Sequence, residues 1–479
     1  MNSEKILDVA RADLDALRVV ERQSRESPGD VVLREQLAHE YLKNGFYSEA
    51  RTEFTELVLT DDSNAKFHVG RAFALLMLHE YVGAQRVVQR ALSLDPSNVE
   101  AQQLADKLKN GIGSLSLTTL RTFDDSSTFF PSDLQIYEQA NFIFHSILEH
   151  PKHELYAPAD FWRHHAKRHL CYIMQSGFAN FKKTVNYFYN QAGVSMGRNE
   201  DLRKAIFQKT GRSNLMETPR FSIDEWDYLS LTIDFPISSP ADYSEFVALL
   251  WEWACEEDKI GCLKKCEEPI VGNPIRIWYQ GRLVTQDLAT SSLELNFIHN
   301  ALGAKFGTVK RICEIGSGYG RLAFMIANTF PEVQTCLFDI PPALAVAQNY
   351  LALVLGARSV KMFQPGPPEK SLRRVQCYSP DQLEDFPDGY FDLVINISSF
   401  DEMSKEQVHN YFELIARKCK GWLYIKAQPT KPAASSSSSL GMDQFPYKES
   451  WQPLTLRPVP YHRQFSEAVF ELRSDLVHE

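Results

Sequence analysis

The sequence lacks any run of about 18 consecutive apolar residues, which predicts that no helix crosses a membrane. The N-terminal stretch MNSEKILDVARADLDALRVV is charged throughout and lacks the apolar core of a signal peptide. Basic residues are in the minority, since 51 Lys and Arg stand against 61 Asp and Glu for a net charge of −10. We therefore expect a cytoplasmic protein that binds no nucleic acid.

Cysteine is also scarce, and its distribution excludes several metal sites. The eight cysteines are scattered, often in apolar runs such as RICEIG, which predicts reduced, buried thiols. Only Cys255, Cys262 and Cys266 lie close together, and their spacing matches no common zinc or iron–sulfur pattern. We expect no metal site.

Apolar residues, in contrast, are abundant at 44%, and aromatic residues make up 12% of the 479 positions. This composition suits a large buried interior, and the length suggests about three domains. The sequence divides accordingly into residues 1–112, 113–290 and 291–479.

The first region repeats with a period of 34 residues. VVLREQLAHEYLKNGFYSEARTEFTELVLTDDSN aligns with AKFHVGRAFALLMLHEYVGAQRVVQRALSLDPSN, which pairs Ala38 with Ala72, Tyr47 with Tyr81 and Ala50 with Ala84. Small residues at fixed positions let two helices cross closely. The pattern resembles tetratricopeptide repeats, which implies an all-α array. Such an array either presents a groove to a protein partner or a second copy, or is only a helical appendage.

The middle region, residues 113–290, has the aromatic-rich periodicity of amphipathic helices, with one β-like run, IRIWY. Ser291 or Ser292 is the predicted N-cap of the helix that follows. A basic segment around His165 and His169 is interpreted either as a solvated helix face or as a face that receives an anion.

The segment VKRICEIGSGYGRLAFMIANTF carries the clearest chemistry. It predicts a buried strand over Val309–Ile315, a glycine turn, and a helix over Arg321–Thr329. Strand, glycine turn and helix form the opening unit of a nucleotide-binding α/β fold. A dinucleotide site would require glycine or alanine at Arg321.

The E-x-G-x-G-x-G pattern instead resembles motif I of class I S-adenosyl-L-methionine (SAM) methyltransferases. Glycine lets the backbone approach a cofactor where no side chain fits. The resemblance implies SAM as cofactor and a class I, Rossmann-like α/β fold for residues 291–479. It also implies that the cofactor is bound by Glu314, Gly316, Ser317, Gly318 and Gly320.

Later segments fit the same fold in order. VQTCLFD predicts a second strand ending at Asp339, whose carboxylate can accept both ribose hydroxyls beside Ile340. FPDGYFDLVIN leads into a fourth strand, GWLYIKAQP is a fifth, and FSEAVFEL fits a late antiparallel strand. By this alignment the adenine lies near Tyr378, Ser379 or Asp381, and Asn396 and Ser398 lie at the end of the fourth strand. Asp287 and Glu294 precede the first strand and are interpreted as closing over the methionine end of the cofactor, although Glu294 is explained equally well as a helix-surface residue.

Three segments resemble the bacterial sugar O-methyltransferase family: GNPIRIWYQGRLVTQDLATSSLE, DIPPALAVAQNYL and INISSFDEMSKEQVHNYFELI. The similarity covers residues 157–472. It implies in-line methyl transfer to a sugar hydroxyl of a small molecule or glycan. Two alternatives stay open: a repeat scaffold with a vestigial methyltransferase domain, and a protein methyltransferase recruited through the repeats.

A sugar hydroxyl is a weak nucleophile, so a general base would help. SSFDEMS follows the fourth strand and offers Asp401 or Glu402, and the family resemblance points to Glu402. His462 is a reserve candidate. Both carboxylates are also explained by interaction with a helix N-terminus. Two carboxylates alone do not suggest a catalytic metal.

The segment KPAASSSSSLGMDQFPYKESWQPLTLRPVPY separates the fifth strand from the last one. Its serine run is of low complexity, and aromatic residues and prolines follow. It is interpreted either as a mobile lid over the cavity or as an insertion without catalytic meaning.

Overall fold

The computed structural model describes residues 15–24, 26–27, 29–78, 81–109, 133–159, 177–184, 199–221, 240–369, 371–430, 440–462 and 464–472, with six positions between 162 and 173. The serine run at 431–439 and most of the basic segment at 163–168 lie outside the described residues. Within the described part, no helix combines the length and the apolar character that a membrane crossing requires.

The N-terminal region consists of successive helices after a first one at 15–24. Their bounds are Val31–Lys43 (α1), Tyr47–Thr60 (α2), Ala65–Met77 (α3), Tyr81–Leu94 (α4) and Val99–Lys109 (α5). The Asp30 side chain accepts hydrogen bonds from the first turn of α1, and Asn64 does the same for α3. Each side chain satisfies backbone N–H groups that a helix N-terminus leaves without partners.

The middle region is mainly helical in its described parts: Asp133–Glu149 (α6), Asn199–Thr210 (α7) and Pro240–Glu257 (α8). An antiparallel sheet of Arg220–Phe221 (β1), Ile277–Tyr279 (β2) and Arg282–Val284 (β3) accompanies them. The strand predicted in IRIWY is confirmed at β2. The solvated helix face expected at His169 is wrong, because this side chain is fully buried and burial lowers its pKa to about 3.

One long helix, Gln286–Leu302 (α9), leads into the last region. Thr285 is its N-cap, and the Thr285 hydroxyl accepts a hydrogen bond from the Leu288 N–H at 3.1 Å. The cap predicted at Ser291 or Ser292 is therefore wrong, because both serines are buried in the middle of α9. The expected domain boundary at 290/291 also falls inside this helix.

The last region is built on an eight-stranded sheet in the order β10-β11-β9-β8-β4-β5-β7-β6. The strands are Arg311–Ile315 (β4), Gln334–Phe338 (β5), Val360–Lys361 (β6), Val375–Tyr378 (β7), Phe391–Ile397 (β8), Cys419–Ala427 (β9), Trp451–Pro458 (β10) and Ser466–Leu472 (β11). Strands β4 to β9 are parallel, and β10 and β11 are antiparallel. The predicted late antiparallel strand is confirmed as β11. The lid or insertion expected before it is wrong over Trp451–Pro458, which forms an edge strand.

Three helices connect the parallel strands: Arg321–Thr329 (α10), Ala343–Leu355 (α11) and Lys405–Lys418 (α12). The central strands are apolar and buried almost throughout, as expected when helices cover both faces of a parallel sheet. The chain reverses its direction of winding at β4, which lies between β5 and β8. Ligands bind such sheets at the carboxyl ends of the strands beside this switch point.

Candidate active site

The glycine turn joins β4 to α10 through left-handed backbone conformations, with φ values of 75° at Gly316 and 84° at Gly320. A Cβ on Gly316 would lie 2.4 Å from the Ser399 Cβ, and one on Gly320 would lie 2.6 Å from a Leu351 methyl carbon. Glycine is therefore required at both positions for conformation and for space. Gly316 lets the turn approach the loop after β8, and Gly320 lets α10 pack on α11.

A cavity of about 1410 Å³, its open mouth included, lies at this carboxyl edge of the sheet. Most of the predicted site residues line it: Glu314, Gly316, Ser317, Gly318, Asp339, Ile340, Glu402 and His462. The sequence did not single out several other lining residues, among them Tyr156, Trp162, Arg321, Lys426 and Tyr461. The middle region and the β10–β11 loop thus help to enclose the cavity.

The remaining predicted residues are buried behind the cavity wall: Gly320, Ser379, Asn396, Asp287 and Asp401. Asn396 donates a hydrogen bond from Nδ2 to the Ile315 carbonyl at 2.9 Å, which fastens β8 to β4. This contact gives Asn396 a structural role in shaping the edge of the site.

Asp339 lies at the end of β5 and faces the glycine turn. Its carboxylate accepts hydrogen bonds from the N–H groups of Gly318 and Ile340, both at 2.7 Å. Burial nevertheless raises the pKa of Asp339 to about 7. A carboxyl group in this position can bind a ligand that offers hydroxyl donors.

Glu314 lies at the end of β4 and is almost completely buried. Burial raises the pKa of its carboxyl to about 8. Its Oε2 atom accepts no hydrogen bond from any of the residues that the structure describes. A buried acceptor aimed at a cavity costs free energy unless a ligand supplies a donor or a positive charge.

Asp287 is tied to the glycine turn from behind, because its carboxylate accepts a short hydrogen bond from the Tyr319 hydroxyl. Burial raises the pKa of Asp287 to about 6. The Lys182 ammonium lies over the Tyr319 ring, 4.9 Å from its centroid, and pairs with Glu268 at 2.5 Å. Side chains of the middle region thus hold the turn from its buried side.

A second buried cluster also borders the cavity. Glu294 of α9 accepts two hydrogen bonds from the Arg321 guanidinium, at 2.6 and 3.0 Å, and one from the Lys426 ammonium at 2.9 Å. The two cations outweigh the opposing effect of burial and lower the pKa of Glu294. A lysine within the apolar strand GWLYIKA was the one sequence signal that could have indicated this cluster.

Glu402 lies on the loop after β8, where its Oε2 accepts a hydrogen bond from the Trp162 indole N–H at 2.8 Å. The contact joins residues 240 positions apart, so no local sequence pattern indicates it. His462 lies across the cavity on the β10–β11 loop, buried against the Phe465 ring. Asp401, next to Glu402, is 3% exposed and is not among the described lining residues.

Comparison with known proteins identifies a domain in this part of the chain. Residues 282–366 match the family model for an O-methyltransferase domain. Among solved structures, the chain is similar to magnesium protoporphyrin IX methyltransferase from Synechocystis PCC 6803 with bound SAM, with 14% identity and a TM-score of 0.29 over 40% of this chain and 83% of that one. It is also similar to cofactor-bound Rv0187 from MTB, with 15% identity and a TM-score of 0.29 over 40% and 88% of the two chains. No curated protein matches the chain in sequence.

The chain thus contains a SAM-dependent O-methyltransferase domain, matched over residues 282–366, within a C-terminal region that has a Rossmann-like fold and follows a helical N-terminal region. Its cofactor is S-adenosyl-L-methionine, which confirms the sequence prediction. The residues present fit this cofactor, because Glu314 and Asp339 offer buried acceptors to a ligand that carries a positive charge and ribose hydroxyls.

Proposed function

We propose that this protein transfers the methyl group of SAM to a sugar hydroxyl, in a glycan or natural-product pathway, with Glu402 as the general base. The observation that carries the proposal is the position of Glu402 on the cavity wall, held by the Trp162 indole N–H at 2.8 Å. A base must be fixed within reach of the proton that it accepts. His462 lines the same cavity and is the second candidate, and Asp401 is the third.

When bound, SAM supplies a methyl group on a positively charged sulfur. The protein contributes position and a proton acceptor. The Glu402 carboxylate takes the hydroxyl proton as the oxygen attacks, and Trp162 keeps that carboxylate in one orientation. Positioning of this kind supplies much of the rate enhancement when two reactants must meet in a defined geometry.

The remaining predicted residues divide between the parts of the cofactor. Asp339, with Ile340 beside it, holds the ribose hydroxyls, and Ser379 lies at the adenine end. Glu314 and Asp287 stabilise the methionine ammonium group, the latter through Tyr319. The turn itself supplies backbone groups from Gly316, Ser317, Gly318 and Gly320, and Asn396 fixes the strand end beneath it.

The cavity suits a sugar because its wall combines aromatic rings with polar groups. Its aromatic members include Tyr156, Trp162, Tyr411, Tyr461 and Phe465. The apolar C–H face of a sugar ring packs on such rings, while hydroxyl groups select an orientation through hydrogen bonds.

The decisive experiment measures methyl transfer to a panel of methyl glycosides together with binding of S-adenosylhomocysteine (SAH). Glu402→Gln should lower kcat by about 100-fold or more, as for loss of a general base, and leave SAH affinity within about twofold. The matched control is Glu406→Gln, an exposed carboxylate in the first turn of α12. If Glu402→Gln were as active as wild type, the assignment of Glu402 as the general base would be wrong. SAH binding without transfer to any sugar would refute the sugar acceptor and favour a protein acceptor or a scaffold role.

The helix pairs of the N-terminal region are proposed to be tetratricopeptide units. Support comes from helix starts that recur at an offset of 34, from Val31 to Ala65 and from Tyr47 to Tyr81. Residues 1–112, 113–290 and 291–479 remain the proposed divisions, and the cytoplasm the proposed location. Because Arg276 pairs with Glu21 inside the molecule, at 3.1 Å, the repeats are proposed to act first as a brace for the enzyme, with any partner bound elsewhere on their surface.

A further inference from the structure

The charged groups of the cavity lie along the sheet edge. The Glu314 carboxyl belongs to β4 and the Asp339 carboxyl follows β5, whereas Lys426 belongs to β9 and Arg321 begins α10, directly after the glycine turn. Three strand spacings of about 4.8 Å separate β5 from β9, so Asp339 and Lys426 are carried by strands roughly 14 Å apart. The carboxyls suit a positively charged cofactor with ribose hydroxyls, and the Arg321 guanidinium opposes the effect of burial on the pKa of Glu314.

Lys426 and Arg321 carry more N–H donors than the described residues accept from. The Lys426 ammonium bonds to Glu294 at 2.9 Å and to the Tyr461 hydroxyl at 3.1 Å, which uses two of its three N–H groups among the described residues. Arg321 uses three of its five, toward Ser291 and Glu294. Both side chains line the cavity, so their remaining N–H groups can serve a ligand there.

The cluster also carries an excess of positive charge. Burial acts to lower the pKa of Lys426, but the Glu294 carboxylate outweighs it, so the pKa rises and the ammonium stays protonated. Among the described residues, Glu294 is the carboxylate within ion-pair distance of both cations, in a site where the Lys426 side chain is 6% exposed, and Asp287 and Glu467 act on the cations from farther away. A buried charge without a counter-charge costs free energy, which an anionic ligand would recover.

Lys426 adjoins the place where the acceptor must stand. The Ser398 N–H, at the end of β8, donates a hydrogen bond to the Lys426 carbonyl at 2.7 Å. The loop that begins at Ser398 carries Glu402. The methionine part of SAM carries an ammonium as well as a carboxylate, and its sulfur adds a positive charge, so the bound cofactor does not offset the excess.

We propose that Arg321 and Lys426 form a carboxylate subsite for the acceptor, and that the acceptor is an acidic sugar of the hexuronic acid class. The inference rests on the proposed sugar O-methyltransferase function. It narrows the acceptor class from sugars in general to sugars whose carboxylate binds the cation pair while a hydroxyl of the same sugar lies within reach of Glu402.

The test compares matched pairs of acceptors with labelled SAM: the methyl glycosides of glucuronic and galacturonic acid against those of glucose and galactose. Wild type should favour the acid of a pair by about 10- to 100-fold in kcat/KM, as for a charge-assisted hydrogen bond. Lys426→Met should bring this ratio close to one, and Lys426→Arg should retain most of it. Lys420→Met, an exposed lysine of the same strand, should match wild type.

Binding of SAH and of 5′-methylthioadenosine, which lacks the carboxylate, separates the two possible sources of the anion. If Lys426→Met weakens SAH but not 5′-methylthioadenosine, the cation pair holds the methionine carboxylate and the inference is overturned. Equal transfer to neutral and acidic sugars overturns it too, while the proposed function stands. Transfer to no sugar at all removes the proposed function and the inference with it. Melting temperatures verify that each variant is folded, and Lys426→Arg keeps the test decisive if Lys426→Met does not fold.

Discussion

Glu294→Gln is the substitution that most directly tests the buried charge cluster. Glu294 is fully buried, and its carboxylate joins Arg321 of α10 to Lys426 of β9 through three hydrogen bonds. Glutamine has nearly the same shape, so the change removes the negative charge without creating a cavity. It also turns an amide NH2 toward two cations, which cannot accept from it.

The expected loss of stability is large. Removing one partner of a buried ion pair typically costs about 3–5 kcal/mol, because the remaining charge stays buried without compensation. Here two cations lose their shared counter-charge, so we expect a loss at or above about 4 kcal/mol in the free energy of unfolding. That is a substantial share of the roughly 5–15 kcal/mol that stabilises a typical domain.

Urea denaturation of both proteins measures this loss. The control is Glu413→Gln, whose carboxylate is 65% exposed and pairs with Lys448, so that the loss should stay below about 1 kcal/mol. The pKa of Glu294 is lowered in the folded protein, so its contribution is present above the ordinary value of 4.5 and is lost as the pH falls through the folded pKa. The difference between wild type and Glu294→Gln should therefore shrink in acid. A difference below about 1 kcal/mol at neutral pH would refute a charged, buried cluster.

Two further predictions concern Asp339, which faces the glycine turn, and Arg276, which pairs with the N-terminal region. Burial raises the pKa of Asp339 to about 7. Because SAH binding needs the ionised carboxylate, SAH affinity should weaken as the pH falls through about 7. The contribution of Asp339 to folding stability changes in the opposite direction, since it is lost as the pH rises through that value. Calorimetry on Asp339→Asn should show weaker binding without this pH dependence, and a retained dependence would contradict the assignment. Arg276→Met removes the cation that Glu21 and Glu49 share, at 4% side-chain exposure, and should cost about 3–5 kcal/mol. An unchanged thermal midpoint would contradict that role.

The strands and the glycine turn were predictable because their signals are local. An apolar run bounded by Gly316 or Asp339 identifies a buried parallel strand and its ligand-facing end from consecutive residues. The predicted helix over Arg321–Thr329 is confirmed at the same bounds. The edge strand β10 was missed because Pro453 and Pro458 indicate a loop, yet an edge strand tolerates proline where no ladder donor is needed.

The contacts within the cluster of Glu294, Arg321 and Lys426 were not predictable, since they join positions that are distant in the sequence. Arg321 and Glu294 are 27 residues apart, and Lys426 and Glu294 are 132 apart. Sequence alone left Glu294 open between a cofactor contact and a helix-surface residue. Burial decides against the surface, and the two cations explain why this carboxylate stays ionised in the interior.

The borders of the hydrophobic cores differ from the borders of the sequence patterns. One contiguous core runs from Leu17 to Leu472, and it includes residues of α1 and α2, Phe67 and Ala74 of α3, and the methyltransferase sheet. A separate small core, which includes Leu75, Val88 and Leu104, holds the later repeat helices together. The first repeat is thus folded into the enzyme, whereas the part from α3 to α5 has a core of its own.

The interface between the first repeat and the methyltransferase region is connected by polar contacts to the glycine turn. Asn273 donates to Glu49 of α2 at 2.8 Å, and the preceding carbonyl, that of Gly272, accepts from the Lys182 N–H at 2.8 Å. The Lys182 side chain lies over the ring of Tyr319, which belongs to the glycine turn. A repeat array that only recruited partners would not need buried polar contacts that end beneath the cofactor. These contacts connect the first repeat to the buried side of the turn, so we expect removal of the repeat to lower cofactor affinity as well as stability.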